Sequence, residues 1–107
     1  MTVAIFATVT VKPEHRETME KALQLMVSHS RAEAGNQRYD LFVRADDANV
    51  FDIFEIYDDM AAVEAHRESE HYKGYRAQVG EWIAAPVEVR LSNPVNAQPY
   101  RSISAKV

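Results

Sequence analysis

The sequence predicts an α+β fold, a ferredoxin-like βαββαβ sandwich whose four-stranded antiparallel sheet carries its helices on one face. Two observations set this class. Segments with apolar residues at period two and segments with apolar residues at three- and four-residue steps follow in the order strand, helix, strand, strand, helix, strand. A third observation concerns assembly: the central segment VFDIFEIY is largely apolar on both faces, whereas two helices cover only one. A second copy about a two-fold axis is the expected cover, giving a homodimeric α+β barrel.

The first strand spans Thr2–Val11, with Val3, Ile5, Ala7, Val9 and Val11 on one side. Pro13 suits the first turn of a helix, and Met19, Ala22, Leu23, Met26 and Ser30 form its apolar stripe as far as about Ala34. Gly35-Asn36 tolerates a left-handed backbone and is expected to end it. Arg38–Arg44 is the second strand, with Tyr39, Leu41 and Val43 on one face. The loop 45–49 closes a hairpin onto the third strand, Val50–Tyr57. Asp58 or Asp59 caps a helix over Met60–Arg67, where Ala62, Ala65, His66 and Ser69 share a side. The chain breaks near Ser69-Glu70, resumes as a helix over His71–Ile83, and stops before Pro86. Val87–Leu91 is the fourth strand, expected to bury Val87, Val89 and Leu91. Residues 1–92 thus form one domain, and residues 93–107, with Pro94 and Pro99, a polar tail that either wraps the dimer or closes the partner's pocket.

Composition excludes several classes of function. The chain has 107 residues, 47% hydrophobic and 26% charged, and a net charge of −4, which offers no electrostatic grip on nucleic acid or an anionic membrane. It has no cysteine, so disulfides, thiolate metal sites and cysteine nucleophiles are absent. The N-terminus lacks a basic region before its apolar run and reads as a strand, making the cytoplasm the expected compartment. No phosphate-binding glycine loop, dinucleotide fingerprint or nucleophile elbow occurs.

Chemistry concentrates in HRESEHYKGY, residues 66–75. The pair His66 and His71 suggests a metal, but on a continuous helix five residues rotate a side chain by about 140°, unlike the four-residue step of helical zinc motifs. No metal is expected on that ground. An imidazole titrating near neutrality suits proton abstraction from a hydroxyl or an acidic carbon. The plainer reading stands beside it, since most histidines are surface or hydrogen-bonded packing groups. Tyr72, Tyr75 and Trp82 fall at helical spacing and serve equally as core, while His15 and His29 sit among polar neighbours and read as solvated.

Arg31-Ala-Glu-Ala-Gly-Asn36, Arg38-Tyr39-Asp40, Phe54-Glu55-Ile56-Tyr57, Ala65-His66, Ser69 and His71-Tyr72 resemble the antibiotic biosynthesis monooxygenase family, small dimeric α+β barrel proteins that include quinol and anthrone monooxygenases. The resemblance covers roughly Thr2–Leu91. It implies an oxygenase without cofactor, in which a phenol or hydroquinone is deprotonated and its anion reduces dioxygen, with a base, an oxyanion stabiliser and a dry pocket. By position it makes His66 the base and His71 and Asn36 hydrogen-bonding groups. Tyr39, Glu55, Tyr57, Ser69, Tyr72, Lys73 and Trp82 are then the substrate-binding set. The haem-degrading branch fits less well, because its Trp and His positions are His66 and Arg76 here. The isomerase of phosphorylated autoinducer-2 is also similar, through Glu33, Gly35-Asn36, Arg38, Asp40, Glu55, Ala62-Val63, His66 and His71-Tyr72-Lys73. In that case Lys73 or Arg38 would meet a phosphate. A dimeric binding domain without turnover is the third alternative.

Overall fold

The computed structural model describes residues 1–98. Its elements are β1 (Val3–Thr10), a 3₁₀ turn (Pro13–His15), α1 (Arg16–Arg31), β2 (Asn36–Arg44), β3 (Asp47–Tyr57), α2 (Met60–Glu68), α3 (Glu70–Val79) and β4 (Glu88–Ser92). The sheet order is β2-β3-β1-β4, and every pairing is antiparallel. This is the expected ferredoxin-like α+β arrangement, with the second helical stretch divided in two. No helix among the described residues is long and apolar enough to cross a membrane.

Strand alternation sorts side chains between the faces. Val3, Ile5, Ala7 and Val9 of β1 and Phe51, Ile53, Glu55 and Tyr57 of β3 point to the helices and are buried. From α1, Met19, Leu23, Met26, Val27 and Ser30 meet them. The other face, built from Phe6, Phe54, Ile56 and Phe42, carries no helix. Phe6 and Phe42 are 42% and 55% exposed, and the Phe6 and Phe54 rings stack at 5.0 Å.

Several boundaries differ from those the sequence suggests. The hairpin turn is only Ala45-Asp46, since Asp47 already pairs with Arg44. No residue among those described has positive φ, so Gly35 is not a left-handed cap. It is needed because a Cβ there would overlap Ala62 of α2, and its carbonyl accepts from the Asp58 amide at 2.9 Å. In α2 the buried stripe is Val63 and His66, while Ala65 is exposed. Helix α3 stops at Val79 instead of Ile83: the Trp82 carbonyl accepts from Lys12, and the Ala84 amide donates to Thr10, so the chain after Gly80 pairs with the end of β1. Strand β4 lies at the sheet edge beyond the helices, leaving Val87, Val89 and Leu91 at 38%, 51% and 41% exposed instead of buried. The proposed wrapping by the tail beyond Gln98 falls outside the described residues.

Candidate active site

The break between α2 and α3 builds the site. Ser69 is extended, at φ −67° and ψ 151°, and caps α3 by accepting from the Tyr72 amide while its hydroxyl donates to the His66 carbonyl at 2.6 Å. His66 and His71 therefore belong to two helices, and the rotation expected of a continuous helix does not apply. Both rings reach one carboxylate. Glu33, between α1 and β2, places Oε2 2.7 Å from Nδ1 of His66 and 2.5 Å from Nε2 of His71.

A carboxylate accepting from both rings fixes their tautomers. His66 carries its proton on Nδ1, which leaves Nε2 with a free lone pair. His66 is 4% exposed, and burial, acting against its hydrogen bond to Glu33, lowers its pKa below the ordinary histidine value. It is a neutral base at neutral pH. The rings of Tyr72, Tyr57 and Tyr39 surround it at 4.9, 5.4 and 6.0 Å.

His66 lines a cavity of about 560 Å³ between the sheet and α2–α3, together with Tyr39, Glu55, Tyr72, Tyr75, Arg67 and Arg76 and an apolar wall from β1, β3 and β4. Burial raises the pKa of Glu55 to about 7, although its Oε1 accepts a 2.8 Å hydrogen bond from the Tyr57 hydroxyl. The phenols of Tyr39 and Tyr57 are raised beyond any physiological range, and that of Tyr75 to about 12, all by burial first. They are neutral hydrogen-bonding groups. The cavity thus offers an imidazole held below its ordinary pKa, His66, and a carboxyl raised to about 7, Glu55.

Of the residues singled out in the sequence, the structure brings His66, Tyr39, Glu55 and Tyr72 to the cavity wall. Tyr57 stands behind Glu55, fully buried, and Ser69 holds the helix break. His71 lies behind Glu33 and faces a separate 230 Å³ groove, where its ring stacks on exposed His29 at 5.3 Å. Asn36 does not reach the cavity: its Nδ2 donates to the Arg38 carbonyl across a bulge in β2. Trp82 packs against the core and lines neither cavity. Lys73 is exposed and also lines neither, while Arg38 lies over Phe54 on the opposite sheet face. The two cations expected to meet a phosphate are therefore not at the site.

Glu33, Arg67 and Arg76 do not emerge from the sequence as members of an active site, because nothing in helical or strand periodicity points a loop carboxylate at two later helices. Glu33 also supplies the third donor that a histidine pair lacks. With His66 and His71 it forms a set whose donor atoms lie within 4.8 Å of one another, the composition a divalent cation could use. In the structure these donor atoms hydrogen-bond one another at 2.7 and 2.5 Å.

Comparison with known proteins agrees with this architecture. The sequence model of the family described as "Antibiotic biosynthesis monooxygenase" matches residues 2–78. "Putative monooxygenase YcnE" of Bacillus subtilis (strain 168) is 40% identical over 87 residues, covering 81% of this chain and 92% of that protein. "Putative monooxygenase Rv0793" of Mycobacterium tuberculosis is 38% identical over 94 residues, covering 88% of this chain and 92% of that one. The solved structure of Rv0793 superposes with a TM-score of 0.89 at 36% identity, covering 92% of this chain and 100% of that chain. The structure of the "Putative antibiotic biosynthesis monooxygenase from Nitrosomonas europaea" gives 0.84 at 28% identity, over 88% of this chain and 90% of that one. The protein belongs to the antibiotic biosynthesis monooxygenase family.

Proposed function

We propose that this chain is a monooxygenase that needs no cofactor and oxidises a small electron-rich aromatic such as a quinol. The observation that carries the reading is the Glu33–His66 pair, a neutral imidazole held in one tautomer with Nε2 available to a largely apolar cavity. Nε2 removes a proton from a phenolic hydroxyl, and the Glu33 carboxylate stabilises the imidazolium. Tyr39 and Tyr72 supply hydrogen-bonding hydroxyls and ring walls around the anion. The anion passes one electron to dioxygen, and the radical pair joins as a ring peroxide. Loss of water, with the proton returned by His66 or by protonated Glu55, leaves the oxidised ring. For a hydroquinone the balance is quinol plus O2 to hydroxyquinone plus H2O, with one oxygen atom in each product.

The active unit in this reading is a homodimer joined through the open sheet face, where Phe6, Phe42 and Phe54 need cover. Substrate, dioxygen and a second copy are the partners. Oxygen uptake with a quinol panel in the presence of a chelator tests the reading: uptake stoichiometric with product supports it. Conversion of a phosphosugar alone under anaerobic conditions points to the isomerase. Binding without turnover points to a carrier.

A further inference from the structure

Seven arginines lie among the described residues, and five of them pair with a carboxylate: Arg16 with Glu20, Arg31 and Arg38 with Asp40, Arg44 with Asp52, and Arg90 with Glu88. Arg67 and Arg76 form no such ion pair, and Arg67 acts on the Glu55 carboxyl only at longer range. Both arginines are exposed, yet both line the 560 Å³ cavity, which places them at its mouth. In a chain with 16 acidic residues and a net charge of −4, two arginines without a close ion pair at one opening are not explained by the general surface. They converge there from different helices, Arg67 from the end of α2 and Arg76 from the middle of α3.

We propose that the cavity binds an amphipathic anion, an aromatic or otherwise apolar body whose carboxylate or phosphate is held at the mouth by Arg67 and Arg76. The body would lie against Ile5, Ala7, Val9, Ile53, Val87 and Val89, a wall without charge. Arg76 is already oriented: its Nη1 donates to the Tyr72 hydroxyl at 3.2 Å and its guanidinium lies 5.9 Å over that ring. The remaining N–H donors of its planar fork stay available, and such a fork matches the paired oxygens of either anion. Burial keeps Glu55 substantially protonated up to about pH 7, so the carboxylate inside the cavity does not oppose a second anion below neutrality. Exposed Val87 and Val89 then acquire a role, since a ligand body would cover the apolar surface the helices leave open.

This rests on the cavity assigned to the proposed oxygenase but not on turnover, so binding and catalysis can fail separately. Calorimetric titration at pH 6.5 with 2-naphthoate, 2-naphthyl phosphate and neutral 2-naphthalenemethanol provides the test. Each anion is expected to bind about tenfold more tightly than the alcohol, the size of a solvent-screened charged hydrogen bond. Arg67→Met and Arg76→Met should each reduce anion affinity by about 5- to 20-fold while leaving the alcohol within about twofold, and Arg76→Lys should recover part of the loss. His66→Ala should keep the preference for anions. Whichever of naphthoate and naphthyl phosphate binds more tightly identifies the preferred head group. Equal binding of alcohol and anions, no binding of any of the three, or an anion preference that survives the double Arg67→Met/Arg76→Met change would overturn the proposal.

Discussion

Nδ1 of His66 lies 2.7 Å from Oε2 of Glu33, although 33 residues separate them in the chain, and the same oxygen lies 2.5 Å from Nε2 of His71. One carboxylate thereby sets the tautomer of a buried imidazole and ties it to a ring on the opposite side of the helix break. Replacing Glu33 by Gln should lower turnover by roughly 10- to 100-fold, less than loss of the base itself. The carboxylate favours protonated His66, so its removal lowers the His66 pKa further, and the acid limb of kcat/KM should move to lower pH. A pH–rate profile checks this, because a merely structural role would reduce the amplitude and leave the limb in place.

Glu55 makes stability depend on pH. Its pKa rises from 4.5 to about 7 on burial, so the folded protein holds this proton more tightly than the unfolded chain does. The contribution is fully present below pH 4.5 and is lost as pH rises through 7. The shift corresponds to on the order of 3 kcal/mol by linkage. Urea unfolding of the Glu55→Gln variant should show a flatter pH dependence than the parent from pH 5 to 8, and the variant should gain relative stability toward the alkaline end. A parent and variant with parallel profiles would contradict this.

Gly35→Ala should destabilise the protein by about 1 to 3 kcal/mol, because the new methyl overlaps the Ala62 Cβ and must push β2 away from α2. Gly74 and Gly80 have open space where a Cβ would go. Alanine at Gly74, inside α3, should be neutral or stabilising. Thermal melts of the variants separate the steric requirement at Gly35 from a general need for glycine.

Phe6→Asp places a carboxylate on the aromatic stack of the open sheet face, 5.0 Å from the Phe54 ring centre in the parent. If that face joins two copies, light scattering should show a dimer for the parent and a monomer for the variant at micromolar concentration. A parent that is monomeric under the same conditions would remove the sheet-face interface from the account.

The fold was legible because alternation in Thr2–Val11 and VFDIFEIY, and the stripe through Met19, Leu23 and Met26, are tertiary demands written into local sequence. The cavity wall was partly legible: Tyr39 and Glu55 share faces with core residues, and His66 shares the buried side of α2 with Val63. Glu33 was not, since its role depends on how α1 ends and on the break at Ser69, which undoes a rotation computed along an unbroken helix. Asn36 and Trp82 drew attention as polar or aromatic residues in suggestive neighbourhoods. Backbone bonding claims the first and core packing the second. Arg67 and Arg76 carry no periodic signal, because their significance is their convergence at the cavity mouth without a close ion pair.

The central claim is that His66 takes the proton that starts oxygen chemistry. With 18O2, a responsive quinol and a chelator present, the parent should place one labelled atom in the product and one in water, and His66→Ala should lower the rate by about 10² to 10⁴-fold with its fold intact. Full labelled turnover by His66→Ala, or product formed by the parent without uptake of oxygen, would contradict the account.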